Sequence, residues 1–165
     1  MTARVERDEL GDLGLLLSFY IRCLSRIVSK DLDDELEGLE VAKGTGKIGT
    51  LLLVNEHPGI RPSTLARWLL KDRAAMGRII EQMAVQGLLT RRVSDKDNRA
   101  QELYASERGR ELAATVTAIV TRQSRTFFQD LDDAEHALAI RLLRKVYRRV
   151  AGFNEAFPTG APDAR

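Results

Sequence analysis

Apolar residues recur along most of this chain with a period of three to four, interrupted once by a short strand-like pattern, so it reads as mainly helical with one small β-hairpin. Near the start, Leu13, Leu16, Leu17, Tyr20, Ile21, Leu24, Ile27 and Val28 keep the helical period and predict one long amphipathic helix over residues 9–31. A shorter helix follows over 47–56. Ser63, just after Pro62, is placed to cap another over 64–70. Over 72–86, Met76, Ile79, Ile80 and Met83 stand at i, i+3, i+4 and i+7, so that face packs inward while Arg73, Ala74, Gly77, Arg78 and Glu81 look outward. Gly87 ends this helix. Residues 88–93 and 101–105 then read as two strands, joined by the polar turn Ser94-Asp95-Lys96-Asp97-Asn98-Arg99-Ala100. Ser106 caps a second long helix running to about Phe128, with Leu112, Val116, Ile119, Val120 and Phe127 along one side. A last helix opens near Leu131-Asp132-Asp133 and carries Ala139, Leu142, Leu143, Val146, Tyr147 and Val150 to a stop at Gly152. Pro158, Gly160 and Pro162 make the tail, residues 153–165, a poor candidate for order.

The fold class that follows is mainly α with a β-hairpin wing. A winged helix-turn-helix over 47–105 is flanked by long terminal helices, 9–31 and 106–152, within a single domain of 165 residues, 44% hydrophobic. A helix of twenty residues spans ~30 Å, more than a core of this size can cover, so the terminal stripes call for a second copy of the chain. Charge sharpens the picture. Net charge is only +2, but residues 1–46 hold 6 basic and 10 acidic side chains while 61–110 hold 11 basic and 6 acidic. The positive field therefore sits on the winged segment, where a helix for the major groove and a basic loop beside it point to duplex DNA.

Other chemistries find little purchase. There is no apolar run long enough to span a bilayer and no signal-peptide pattern, so a cytosolic protein without membrane partners is expected. The single cysteine, Cys23, permits neither an intrachain disulfide nor a structural zinc site, and His57 and His136 lack ligand spacing, so no metal and no cofactor are expected. Gly44 and Gly46 fail the phosphate-loop spacing, and residues 41–47 read as a flexible joint. No catalytic set can be assembled, so the chain is not expected to be an enzyme. Two alternatives stay open: a winged helix used for protein contacts without an operator, and a thiol-based redox regulator acting through Cys23, which has Arg22 and Arg26 nearby.

The ordered set Leu65-Ala66, Asp72-Arg73, Arg78, Gly87-Leu88-Leu89, Arg91-Arg92, Asp97-Asn98-Arg99-Ala100 and Ser106-Glu107-Arg108-Gly109-Arg110 resembles the MarR family of bacterial transcriptional regulators, most strongly over residues 48–112. The resemblance implies a homodimer whose terminal helices interlock, holding two winged helices on a pseudo-palindromic operator with half-sites ~34–36 Å apart. It also implies a repressor released by a small aromatic effector, held in the crevice between the dimer helices and the DNA-binding lobe. That places Tyr20, Arg22, Trp68 and the helix over 47–53 near the crevice, with plain core as the alternative for Tyr20 and Trp68. The peroxide-sensing branch carries its cysteine where Ser18 stands here.

The expected DNA-contacting residues are Ser63, Lys71, Arg73, Ala74, Gly77, Arg78, Lys96, Asp97 and Arg99. Ser63 would cap a helix whose free amides hold a phosphate, and Lys71 and Lys96 would contact the backbone. One of Arg73 and Arg78 would read a base. Asp97 and Arg99 match the family's Asp-x-Arg, in which the acid steadies the loop and the arginine enters a narrow minor groove. Of Arg91 and Arg92, alternating along a strand, at most one would face DNA. The chain departs from the family at Ala74, Ala75 and Gly77, where small hydroxyl side chains are common. Gly77 would allow the backbone either a close approach to DNA or tight packing on a neighbouring helix.

Overall fold

A computed structural model describes residues 9–94 and 97–152, and for Thr45 and residues 97–100 the backbone only. Lys96 and residues 153–165 lie outside the described residues, as do the side chains of Asp97 and Arg99. The helices are α1 (Leu17–Glu35), α2 (Thr45–Glu56), α3 (Pro62–Trp68), α4 (Arg73–Val85), α5 (Glu107–Phe127) and α6 (Asp133–Val150), with strands β1 (Leu89–Ser94) and β2 (Asp97–Ala105) between α4 and α5.

The first helix is shifted from its expected span. Residues Leu13–Leu15 form a separate 3-10 turn, Gly11 is left-handed (φ 58°), and Leu16 is extended, so the regular helix starts only at Leu17. It then runs through the acidic segment to Glu35, since no proline or glycine interrupts it before Gly38, which takes φ 84°. The expected joint over 41–47 is also corrected. Val41 is fully buried, Gly44 caps α2, and Gly46 lies buried in the first turn of that helix. A Cβ at Gly46 would stand 2.3 Å from Cε of Lys71 and 2.9 Å from Cδ1 of Ile79, so this glycine serves close packing.

The core gathers where α2, α3, α4, the hairpin and the first half of α5 meet. Leu36, Val41, Leu51, Val54, Leu65, Met76, Met83, Leu88, Leu103, Ala113 and Val116 are all essentially inaccessible there. The inward face expected for α4 is confirmed: Met76, Ile80 and Met83 are buried and Ile79 half-buried. Gly87 (φ 71°) closes α4 in a Schellman motif, with Leu88 N–H donating to Met83 O and Gly87 N–H to Ala84 O, both at 2.9 Å. The same motif ends α3, where Lys71 N–H donates to Ala66 O and Leu70 N–H to Arg67 O, but here the left-handed position is held by Leu70 (φ 50°).

The hairpin is longer than expected. Pairing runs from Leu89 opposite Ala105 to Val93 opposite Gln101, then shifts register so that Ser94 faces Asp97, which draws residues 97–100 from the expected turn into β2. Ile60 adds a bridge to Leu103, tying the α2–α3 connection to the sheet. Ser106 caps α5 as expected, accepting from Gly109 N–H at 2.9 Å. Its hydroxyl also donates to Gly87 O at 2.6 Å, joining the start of α5 to the end of α4.

From the core, α5 rises to α1. Gln123 donates to Asp31 at 2.7 Å and Arg122 pairs with Glu35 at 2.6 Å. The last helix opens with a capping box, Asp132 accepting from Glu135 N–H and Glu135 from Asp132 N–H. Neither α1 nor α6 buries a single residue within its span. Leu17, Ile21, Leu24 and Ile27 lie exposed on α1, and Leu138, Leu142, Leu143, Val146 and Val150 on α6. Among the described residues, no helix is long and apolar enough to cross a membrane.

Candidate nucleic-acid interface

The outer surface of α4 is built by contrast with its inner one. With Met76, Ile80 and Met83 held in the core, helical geometry turns Arg73, Ala74, Gly77, Arg78 and Glu81 outward, and all five are exposed. Asp72 caps this helix, its carboxylate accepting from Ala75 N–H at 2.6 Å, which fixes how Arg73 and Ala74 enter the first turn. Gly77 resolves the two roles left open for it. A Cβ there would meet nothing within 4 Å, so packing on a neighbouring helix is excluded and the backbone is bare to the outside.

The wing is fastened to this surface. Arg91 on β1 pairs with Glu81 on α4 at 2.6 Å, a bridge between strand and helix. Arg92 stands over the ring of Tyr104, 4.7 Å from its centroid, and the Tyr104 hydroxyl donates to Glu102 at 2.8 Å. Both arginines are therefore engaged with the protein itself. At the tip, the backbone of Asp97 and Arg99 lies within β2, while the side chains of this expected pair are outside the described residues.

One expected contact sits differently from its prediction, while Lys71 stands in the turn between α3 and α4 as expected. Ser63 does not cap α3: the cap position is Arg61, extended at φ −82° and ψ 144°, and Ser63 is the exposed second residue of the helix. Proline explains the offset. Its ring presets the first helical position and disfavours helical geometry in the residue before it, so the boundary falls between Arg61 and Pro62. Lys71 is half-buried, and its stem crosses Gly46. That covalent course takes it along the start of α2.

Lys71 also helps to wall a cavity of about 270 Å3 with Gly46, Trp68, Leu69, Leu70 and Tyr147. The cavity lies between the helix-turn-helix and α6, and one hydrogen bond spans it: the Tyr147 hydroxyl donates to the Trp68 carbonyl. Burial pushes the Tyr147 phenol above its ordinary range, which keeps the proton on this donor. Trp68 makes an edge contact with His57, the cap residue ending α2, at 5.2 Å between centroids. Of the residues expected at the effector crevice only Trp68 lines the cavity. Tyr20 stacks edge-on against Phe19 within α1, and Arg22 donates back to the Ser18 carbonyl of its own helix at 3.3 Å. Two signals escaped the sequence analysis: Tyr147, read there as one more apolar position, and a cationic face on α6 formed by Arg141, Arg144, Lys145, Arg148 and Arg149, all exposed.

A three-helix unit α2–α3–α4, a two-stranded wing and an exposed, arginine-bearing second helix define a winged helix-turn-helix protein. Residues 42–100, the segment holding most of that unit, match the family model described as the MarR family. The chain is 32% identical over 104 residues to a protein of Thauera aromatica named as a transcriptional regulatory protein for the hcr operon, an alignment spanning 63% of each chain. A MarR-family transcriptional regulator from Listeria monocytogenes, solved in complex with a 26mer DNA, superposes with a TM-score of 0.76 at 21% identity, covering 84% of this chain and 91% of that one. CouR from Rhodococcus jostii RHA1, bound to p-coumaroyl-CoA, superposes with a TM-score of 0.72 at 19% identity, covering 90% and 97%. Over residues 42–100 the chain is thus similar to the MarR family, and it shares the fold of these solved regulators.

Proposed function

We propose that this protein is a homodimeric DNA-binding transcriptional regulator, a repressor that holds a pseudo-palindromic operator and is released by a small effector, acting in the cytoplasm without catalysis of its own. The observation that carries the reading is the exposed face of α4, where two arginines flank a bare glycine backbone on a helix whose opposite face is locked in the core. Arg73 and Arg78 would supply the major-groove contacts, with Ala74 and Gly77 allowing close approach. Ser63, Lys71 and Lys96 would touch phosphates, and Arg99, steadied by Asp97, would enter the minor groove.

The dimer reading is supported by the uncovered apolar faces of α1 and α6, where Leu17 is 67% exposed and Leu142 54%. Among the described residues nothing covers these faces, and a two-fold pair would bury them while presenting both α4 helices to one face of a duplex. Effector release is supported by the cavity between α6 and the helix-turn-helix. CouR, with the same fold, is bound to p-coumaroyl-CoA.

Selecting bound sequences from a random duplex library and measuring their affinity across a salt series tests the proposal. A dimer neutralising on the order of 6–10 phosphates should lose ~10³–10⁵ in affinity between 50 and 200 mM salt. A flat salt response, or no enriched sequence, would leave the winged helix as a protein-contact module.

A further inference from the structure

Glu81 is the one acidic residue of α4, and it stands on the face that carries Arg73, Ala74, Gly77 and Arg78. A carboxylate there faces the phosphates of any duplex this surface holds, and like charges repel across the ~10 Å that 0.1 M salt leaves largely unscreened. Its partner is on the wing. Arg91 Nη2 lies 2.6 Å from Glu81 Oε2, with the Arg91 side chain 32% exposed and that of Glu81 63%. An ion pair so open to solvent contributes little to stability, so folding alone does not account for an acid at this position.

Strand geometry decides what Arg91 can reach. It pairs across the hairpin with Leu103 and follows Leu89 by two residues, so the three share one face, on which Leu89 and Leu103 are buried against the core. Arg92 takes the opposite face, over the Tyr104 ring. Beyond Arg91 the hairpin overhangs the core, since Val93, the next residue on the inner face, is 62% exposed. The pair with Glu81 therefore ties the wing to α4 where apolar packing stops. From Leu103, opposite this tie, the backbone of Arg99 lies four residues back along β2, ~14 Å at about 3.4 Å per residue. Tilting the hairpin by ~10° about the tie moves that point by ~2 Å, enough to break a hydrogen bond made at ~3 Å.

Building on the DNA-binding reading above, we propose that Arg91 is a positioning residue that serves DNA recognition only through Glu81. It cancels the one carboxylate on the outer face of α4 and fixes the angle between that helix and the wing. Arg91 itself touches no phosphate. Helix and wing are thereby held as one reading unit, and the flanking sequence accepted by the wing depends on a residue that never contacts it.

A double-mutant cycle isolates this role. Affinity is measured by gel shift over a salt series for the full-length wild type, E81Q, R91Q and E81Q/R91Q, on the duplex that the wild type selects from a random library. R91Q is expected to lose tenfold or more of the wild-type affinity. Adding R91Q to E81Q should change affinity by less than twofold and leave the salt slope as it was. Selection repeated with R91Q should keep the preferences under α4 and broaden those in the flank beneath the wing, a change that lost stability alone does not produce. Unfolding temperatures of the four proteins should agree within about 3 °C; a larger fall in R91Q would reduce the pair to a stability element. An equal loss from R91Q in both backgrounds, with a salt slope lower by about one for each half-site, would make Arg91 a phosphate contact and overturn the assignment. So would an R91Q variant with wild-type affinity. A wild type that enriches no sequence refutes the DNA-binding reading and this role with it, whereas selective binding without coupling refutes the role of Arg91 alone.

Discussion

Replacing Gly77 by alanine sets stability and function against each other. In the free protein the added methyl group meets nothing within 4 Å, so no clash offsets the gain in helix propensity. Alanine in the middle of a thirteen-residue helix is favoured over glycine by ~1 kcal/mol, which for a chain of this size raises Tm by about 2–4 °C. On DNA the same group projects from the face shared by Arg73, Ala74 and Glu81, one helical turn away on either side. If the backbone at Gly77 rests against the groove, the methyl pushes the helix outward and lengthens the arginine contacts on both sides. A tenfold loss of affinity, about 1.4 kcal/mol, is then expected from a protein that is more stable than its parent. Thermal unfolding and a gel shift on one preparation measure both quantities. Should affinity stay within about twofold while Tm rises, this face of α4 does not lie against DNA, and the assignment of base reading to Arg73 and Arg78 falls with it.

Charging the exposed α1 stripe with Leu17→Glu and Leu24→Glu should leave the helical content intact but yield monomers by light scattering, with DNA affinity reduced ~10²–10⁴-fold as the second half-site is forfeited; a variant that stays dimeric removes α1 from the interface. Arg99→Ala should weaken binding without changing the preferred bases, and Asp97→Ala should do so more weakly, whereas Arg73→Ala or Arg78→Ala should relax the preference at one position at a cost of ~1–3 kcal/mol. A panel of single-base operator changes at fixed salt separates these patterns, and reshuffled preferences in Arg99→Ala would reverse the roles of wing and helix. Gly109→Ala should cost stability at the upper end of the ~1–3 kcal/mol typical of overpacking, because its Cβ would stand 2.0 Å from the Leu88 carbonyl oxygen, a backbone atom that cannot swing aside; urea unfolding with a loss under ~0.5 kcal/mol would contradict that contact. The raised pKa of Tyr147 means that its hydrogen bond to Trp68 contributes fully below the ordinary phenol value of ~10 and is lost only as pH rises through the higher folded value. Absorbance at 295 nm, compared between the wild type and Tyr147→Phe, should assign a phenol ionising above ~10 to this residue; ionisation at or below that value would argue against its burial.

Local rules carried most of the helix-turn-helix. The i, i+3, i+4, i+7 pattern of Met76, Ile79, Ile80 and Met83 named both faces of α4, since burying one side of a 3.6-residue helix leaves the other outside. Gly87 and Ser106 marked helix ends through short-range hydrogen bonds that their own chemistry supplies. Local reading failed where neighbouring signals competed. Pro62 moved the start of α3 away from Ser63, and the extended Leu16 delayed α1 by eight residues from the expected start at residue 9.

The order and faces of the helices, the basic wing and the excess apolar surface of the terminal helices were thus determined by the sequence alone, because each depends on residues a few positions apart. What only the tertiary structure decided is what distant residues do to one another. Gly46 is a packing position because Lys71 and Ile79 arrive above it, and Arg91 is tied to Glu81 because β1 folds back along α4. Tyr147 becomes a tether rather than another apolar position because α6 returns to the α3–α4 turn, seventy-nine residues away in the chain. That return also closes a cavity between Tyr147 and the helix-turn-helix, and periodicity along one helix carries no information about which surface the helix will meet.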